Sequence, residues 1–264
     1  MKIIQITDTH LRAPGVIVHG LDPAEQLRRT IKDVVARHSD ADLVVFTGDL
    51  CDHGEPEAYA LLREILAPLQ SPVRLLLGNH DARPAFVEAF PEQPRDANGF
   101  VQSYIDIDQG RLLFLDSNEA GHSGGVYCEK RLGWLRDSLE GAGPAYVFIH
   151  HPPVADGMAH FEQIGLHDAA AVCEVLKDHA PGVRQIVFGH IHVALNGVSA
   201  EGFPFSSGQA SSHRFIVDLD SKTPMWTSGL PCYRILTIDE TGFRAYTAFA
   251  EEEVCATSYF PEGP

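Results

Sequence analysis

IIQITDTH, residues 3–10, is an almost unbroken apolar run that stops at Thr7 and closes on Asp8 and His10. A run of that length, ended by polar residues, reads as a strand buried on both faces. The same pattern returns in LVVFTGDL (43–50, Asp49), VRLLLGNHD (73–81, Asn79 and His80), YVFIHH (146–151, His150 and His151) and IVFGHIH (186–192, His190 and His192). Polar groups at the ends of several such strands share one rim of a sheet, where open α/β folds place their sites. Asp8, His10, Asp49, Asn79, His150, His190 and His192 supply more donors than one metal ion takes. Asp8 with His10, and His190 with His192, are two residues apart, so an extended backbone would turn each pair to one side.

Between these strands the spacing predicts helices. Asp22-Pro23-Ala24-Glu25 is a capping sequence with Pro in the first turn, followed by Leu27, Ile31, Val34 and Val35 at helical intervals to about His38. Further helices are expected over 56–66, 84–90, 129–139 and 168–179, with hairpins over 100–116 and 233–249. No linker rich in Pro, Gly or Ser divides the chain. The expected organisation is a catalytic region over 1–200 and a C-terminal segment over 201–264 that completes the fold and forms a cap or an oligomer contact. That segment's aromatic residues, among them Phe215 and Trp226, are too many for a disordered tail.

The 264 residues carry 20 basic and 36 acidic side chains, a net charge of −16 with His neutral. Such a balance, with no basic stripe, disfavours nucleic acid polymers and anionic membranes as partners. No long apolar stretch suggests a membrane helix or a leader peptide. The five cysteines are scattered and form no CxxC pair, as expected of a cytoplasmic protein with reduced thiols. Cys51, two residues past Asp49, is a candidate soft neighbour of the metal site.

Mixed oxygen and imidazole donors suit Mn, Fe, Co or Zn. Seven donors suit two ions, divalent or mixed-valence, sharing a carboxylate. Two such ions against only Asp8 and Asp49 leave a positive centre, which attracts an anion despite the net charge. Two-metal sites generate hydroxide near neutral pH and hold both sides of an in-line displacement, so a phosphate ester is the expected substrate.

Asp8-x-His10, Gly48-Asp49, Gly78-Asn79-His80-Asp81, His150 and Gly189-His190-x-His192 resemble, in order, the motifs of the calcineurin-like metallophosphoesterases. Gly54-Glu55-Pro56-Glu57-x-Tyr59, the Leu112–Ser117 strand and His150-His151-Pro152-Pro153 extend the resemblance to bacterial class III cyclic nucleotide phosphodiesterases and glycerophosphodiesterases. It covers roughly residues 1–200. It implies an α/β fold of four layers, αββα, with two packed mixed sheets flanked by helices. It also implies that Asp8, His10, Asp49 and His192 hold one metal, and that Asp49, Asn79, His150 and His190 hold the other, with Asp49 as the bridge. A metal-bound hydroxide then attacks phosphorus, Asn79 helps to stabilise charge, and His80 assists departure of the leaving alcohol. His151 is expected to be a structural residue, or one that supports a ligand, rather than a ligand itself.

The resemblance implies small phosphodiesters such as cAMP or glycerophosphodiesters as substrates, and a homo-oligomer, dimer or higher. Related Ser/Thr protein phosphatases carry an Arg where this chain has His53. A monoester dianion gains more from an Arg clamp than a singly charged diester does, which favours diesters unless Arg12, Arg83 or Arg214 substitutes in space. His213 and Asn118, the latter opening a glycine-rich stretch, are candidates for substrate contact. The competing readings are a broad phosphomonoesterase or phosphonate-ester hydrolase on the same centre, and a catalytically inactive protein-binding scaffold.

Overall fold

The computed structural model describes residues 1–250; Cys255 and the rest of 251–264, the end of the expected cap segment, lie outside the described residues. The first βαβ units run β1 (Lys2–Ile6), α1 (Pro23–Arg37), β2 (Leu43–Thr47), α2 (Pro56–Leu66), β3 (Val73–Leu76) and α3 (Arg83–Ala89). The Asp22 carboxylate starts α1 by accepting the N–H groups of Ala24 and Glu25 at 2.9 and 3.3 Å. The hairpin β4 (Ser103–Ile107) and β5 (Gly110–Phe114) leads to α4 (Glu129–Leu139), β6 (Ala145–Ile149), α5 (Ala169–Asp178) and β7 (Val183–Phe188). The chain ends in β8 (Leu195–Val198), β9 (Pro204–Ser207), the short ribbon β10 (Arg214–Phe215) and β11 (Trp226–Thr227), then β12 (Cys232–Asp239) and β13 (Gly242–Phe249).

Two mixed sheets result, ordered β13-β12-β1-β2-β3 and β4-β5-β6-β7-β9-β8. Within each, the strands that carry the motifs are parallel neighbours: β1, β2 and β3 in the first, β6 and β7 in the second. Alternation along each strand sorts the side chains. Ile4, Ile6, Val44 and Phe46 face α1 and α2, while Val147, Ile149, Ile186 and Phe188 face α4 and α5. The opposite faces meet: Ile3, Leu43, Val45, Leu76, Leu112, Phe114, Phe148, Val187 and Leu236 form one apolar layer between the sheets. Both faces of every central strand are thus covered, which is why these strands read as continuous apolar runs.

The polar exception in the first run is explained by this layer. Gln5 is buried and donates through Nε2 to Thr47 Oγ1 at 3.0 Å and, across to the other sheet, to the Phe188 carbonyl at 3.2 Å. Its Oε1 accepts from Arg234 at 2.9 Å, and Arg234 also reaches Ser206 Oγ at 2.8 Å. Strands β8 and β9 were not anticipated. Four residues each, and holding Gly197 and Pro204, they carry the sequence marks of turns, and only the free edge beside β7 makes them strands.

The layer between the sheets sets the stability of the whole. Phe114 and Phe148 stack across neighbouring strands with centroids 5.3 Å apart. Phe148→Ala is expected to lower the unfolding free energy by about 3–5 kcal/mol. Urea titration of the protein with ions present checks this, and a loss under about 1 kcal/mol would show the layer to be loosely packed.

Candidate metal centre

All the motif residues lie just past strand ends at one rim, and the backbone there is not extended. Among the described residues, six non-glycine positions have positive φ, and five of them are Asp8, His10, Asp49, His190 and His192. The expectation that alternation along an extended chain pairs Asp8 with His10, and His190 with His192, is therefore corrected. Both members of each pair adopt the left-handed conformation, which Asp and His tolerate better than most side chains; Asp8 and His10 reach one donor group, while His190 and His192 divide between two. The preceding glycines make room. Gly48 has φ +95, and a Cβ on it would lie 2.3 Å from the His150 ring; one on Gly78 would lie 2.2 Å from Asp49 Oδ1 and 2.6 Å from His150 Nε2.

Two groups of donors result. In the first, His10 Nε2 and His192 Nε2 face each other at 3.0 Å, with Asp8 Oδ1 3.4 Å from His192 and Asp49 Oδ2 3.6 Å from His10. In the second, Asn79 Oδ1 lies 3.3 Å from His150 Nε2, 3.1 Å from His190 Nδ1 and 3.2 Å from His151 Nε2. Asp49 Oδ2 is 3.3 Å from His150 Nε2, so one carboxylate oxygen faces both groups. The other, Oδ1, is fixed by the His80 N–H at 2.9 Å.

The protons on the imidazoles are set by what lies behind them. His10 Nδ1 donates to Asp52 at 3.0 Å, and His192 Nδ1 to the His213 carbonyl at 2.8 Å. His150 Nδ1 donates to the Thr47 carbonyl at 2.7 Å, and His190 Nε2 to the Ile164 carbonyl at 3.0 Å. In neutral rings the remaining nitrogens are lone pairs, and all of them point at one another or at carboxylate and amide oxygens. Acceptors that close repel unless a cation or a shared proton sits between them. Ligating histidines show this arrangement, one nitrogen on the metal and the other N–H on a carbonyl or carboxylate. The residues therefore fit two divalent cations.

The electrostatics agree. Burial, and then the neighbouring His150, hold His190 down to about 3. Burial, with His10 and His213, likewise holds His192 well below its ordinary value. Both are thus in the neutral form that ligates. Burial raises Asp8 to about 6, whereas for Asp49 burial is outweighed by His150, His80 and His10, which keep it ionised. Burial also resists charge on His150, yet Asp49 outweighs it and lifts that imidazole to about 9.

A pocket of about 190 Å³ opens onto these groups, lined by His10, Asp49, Asn79, His80, His190 and His192 and walled by His213 and other rings. His80 donates through Nδ1 to the Asp52 carbonyl at 2.8 Å, leaving Nε2 to act on a bound molecule. His213 lines the pocket, its ring 4.5 Å from that of His192. Asn118 does not line it: its amide donates to the carbonyls of Gly78 and Asp81 at 2.6 and 3.0 Å and braces the loop that carries Asn79 and His80. Cys51 belongs to neither donor group. It is buried in the helix-side core, where burial pushes its thiol up.

His151, expected to be structural or to support a ligand, stands with its Nε2 3.2 Å from Asn79 Oδ1 and its Nδ1 2.8 Å from Ser117 Oγ. Other contributors escaped the sequence reading. Asp52 orients His10, and its place three residues after Asp49 is the one signal that could have found it. Asp81 accepts the N–H groups of Gly78, Leu50 and Cys51 at 2.9, 3.1 and 3.1 Å, tying the two ligand loops together. The carbonyls of Thr47, Ile164 and His213 leave no mark in a sequence.

A rim of oxygen and imidazole donors, sharing one carboxylate above two packed sheets, defines the class of metal-dependent phosphoesterases. The calcineurin-like phosphoesterase family model matches residues 1–194, and the chain belongs to that family, an enzyme that hydrolyses phosphoesters. It is 38% identical over 225 residues to a probable cyclic nucleotide phosphodiesterase of Rhodopseudomonas palustris, covering 83% of this chain and 81% of that one. It is 31% identical to the 3′,5′-cyclic adenosine monophosphate phosphodiesterase CpdA of Escherichia coli K12, covering 86% and 83%. Identity to the glycerophosphodiester phosphodiesterase GpdQ of Enterobacter lignolyticus is 32%, over 73% and 71%. The fold is similar to that of a dimetal phosphatase from Danio rerio, with TM-score 0.64, 16% identity and coverage of 95% and 99%. No helix among the described residues is long and apolar enough to cross a membrane.

Calorimetric titration with Mn(II) is expected to give two ions per chain, and Tm to fall on treatment with EDTA. At a hundredfold excess over Kd, each independent site adds about 2.7 kcal/mol of stability. Gly78→Ala, which places a methyl group against Asp49 and His150, is expected to weaken binding by about tenfold or more with the far-ultraviolet spectrum unchanged. Wild-type affinity in that variant would show the loop to be softer than it looks.

Proposed function

We propose that the protein is a dinuclear metal-dependent phosphodiesterase acting on small diesters, cyclic nucleotides or glycerophosphodiesters. Asp8, His10, Asp49 and His192 would hold one ion, and Asp49, Asn79, His150 and His190 the other, with His151 close enough to join. When bound, such ions supply Lewis acidity and a nucleophilic hydroxide near neutral pH. Around them Asp49 and Asn79, which line the pocket, would face the phosphoryl group. His80, when protonated at both ring nitrogens, would hand the Nε2 proton to the departing alkoxide and keep its Nδ1–H on the Asp52 carbonyl, which holds the ring in place.

The observation that carries the choice of a diester is the absence of a guanidinium from the pocket lining among the described residues. Arg12 is committed to Glu55 and Asp52 at 2.6 and 3.5 Å. Arg83 grips Asp116 at 2.9 and 3.0 Å, and Arg214 donates to the Leu230 carbonyl. A monoester dianion would enter with one negative charge more and no Arg to meet it, so the phosphomonoesterase reading loses support. The relatives' names point the same way. A homo-oligomer and a cytoplasmic location belong to this reading. The first is supported by exposed Ile216, Val217, Leu219, Met225 and Leu230, the second by free thiols at Cys51, Cys128, Cys173 and Cys232.

The test is a comparison of kcat/KM on Mn-loaded protein for bis(p-nitrophenyl) phosphate, p-nitrophenyl phosphate, 3′,5′-cAMP and glycerophosphoethanolamine. Diesters are expected far ahead of the monoester, and His80→Ala is expected to lower kcat by about 10²–10⁴-fold. A monoester preferred over every diester would overturn the reading. Sedimentation that shows only monomer across micromolar concentrations would remove the oligomer from it.

A further inference from the structure

The pocket above the donors is small. About 190 Å³ takes a phosphodiester and the atoms next to it, whereas sites that enclose a whole small ligand run from about 300 Å³ upward. The rest of any substrate larger than that must lie over the rim, and one side of the rim is aromatic. Trp226, on β11, is 47% exposed yet lines the pocket. Its indole sits 3.9 Å from the exposed imidazole of His19, tilted by 39°, and 6.1 Å from Phe215.

This wall is held in place. Phe215 and Trp226 are paired across the β10–β11 ribbon. Phe215 packs against His192 at 4.8 Å and Phe161 at 5.1 Å, so the ribbon is anchored on the donor cluster itself. His19 reaches the wall from the loop before α1 and meets His213 edge-on, with ring centroids 4.4 Å apart. Folding alone does not call for an indole half in water, since burying it would stabilise the protein more. Nor does phosphate binding call for it, because the wall carries no permanent charge.

We infer that Trp226, with His19 beside it, forms a subsite for a planar heterocycle, so that of the diesters allowed by the proposed function the preferred class is the one carrying a nucleobase. The inference rests on that function. The phosphate is held at the donor cluster, the sugar bridges the mouth of the pocket, and the base stacks on the open face of the indole. Stacking of a base on an aromatic side chain corresponds to an affinity change on the order of tenfold to a hundredfold, and it tolerates any base because every base has a π face.

The experiment compares Mn-loaded wild type, Trp226→Phe and Trp226→Ala on 3′,5′-cAMP and on glycerophosphoethanolamine, which has no ring. In Trp226→Ala the ratio of kcat/KM for cAMP over glycerophosphoethanolamine should fall on the order of 10- to 100-fold, chiefly through KM, and Trp226→Phe should restore most of it. A parallel calorimetric titration with adenosine 5′-monophosphate should show the same order of affinities. If the ratio does not move, or if both substrates lose equally, the subsite is overturned while the diesterase reading stands. If wild type turns over neither diester, the functional reading fails, and the titration alone decides the subsite: weaker binding in Trp226→Ala supports it and unchanged binding overturns it. A variant that changes only the sedimentation coefficient would place Trp226 in a subunit contact and overturn the inference as well.

Discussion

Lone pairs on four imidazoles, one amide oxygen and two carboxylates converge within 3.0 to 3.6 Å at one rim, and that convergence is the constraint on which the rest depends. It comes from both halves of the sandwich. Asp8, His10, Asp49 and Asn79 follow strands of the first sheet, and His150, His190 and His192 follow strands of the second. The donors meet only if the sheets pack in one relative position, which the apolar layer and the Gln5 bridge between Thr47 and Phe188 fix. Cations bound at the rim would in turn fasten one sheet to the other. Packing energy and metal binding are therefore coupled, and a fault in the layer reaches the chemistry without touching a ligand.

The left-handed backbone at five of the donor residues is the local cost of that geometry. Such conformations cost of order 1–3 kcal/mol each unless their surroundings hold them. Here the surroundings do. Asp8 N–H donates to the Gly48 carbonyl at 3.1 Å and His10 N–H to the Asp49 carbonyl at 3.0 Å, so the two strained loops are bonded to each other. The His190 N–H donates to the Asp8 carboxylate at 3.0 Å, which ties the second sheet's loop to the first. Asp81, buried beneath, gathers three more N–H groups. Strain and its compensation lie in the same few residues, as expected where orientation matters more than local comfort.

Much of this was legible from residue order. Strands buried on both faces announce themselves by apolar runs, and their polar endings mark the rim, so Asp8, Asp49, Asn79, His150 and His190 could be placed before any coordinates. The reason given for their pairing was wrong, because alternation presumes an extended chain and the backbone turns left-handed at Asp8 and His10. Backbone acceptors such as the Thr47 and Ile164 carbonyls have no sequence signature, yet they decide which imidazole nitrogen faces the centre. Asn118 was a reasonable candidate for substrate contact; only the fold shows its amide spent on Gly78 and Asp81. Strands β8 and β9 were illegible for a different reason, since a short polar segment becomes a strand only when a neighbour leaves an edge for it.

The acidity of the chain and its affinity for anions are reconciled by distance. Charges on the surface are screened over about 8 Å at physiological ionic strength, whereas charges inside a buried pocket are screened far less. Two divalent ions beside Asp8 and Asp49 would leave a net positive centre in a site only 0 to 2% exposed at those carboxylates. A phosphate at the mouth of the pocket would therefore meet that centre before it meets the average of the surface. The surrounding −16 still acts on what remains outside. It penalises each further negative charge that a substrate carries beyond the rim, and it leaves a neutral group free to rest there. With ions bound, selection among diesters would thus fall to the uncharged residues of the rim.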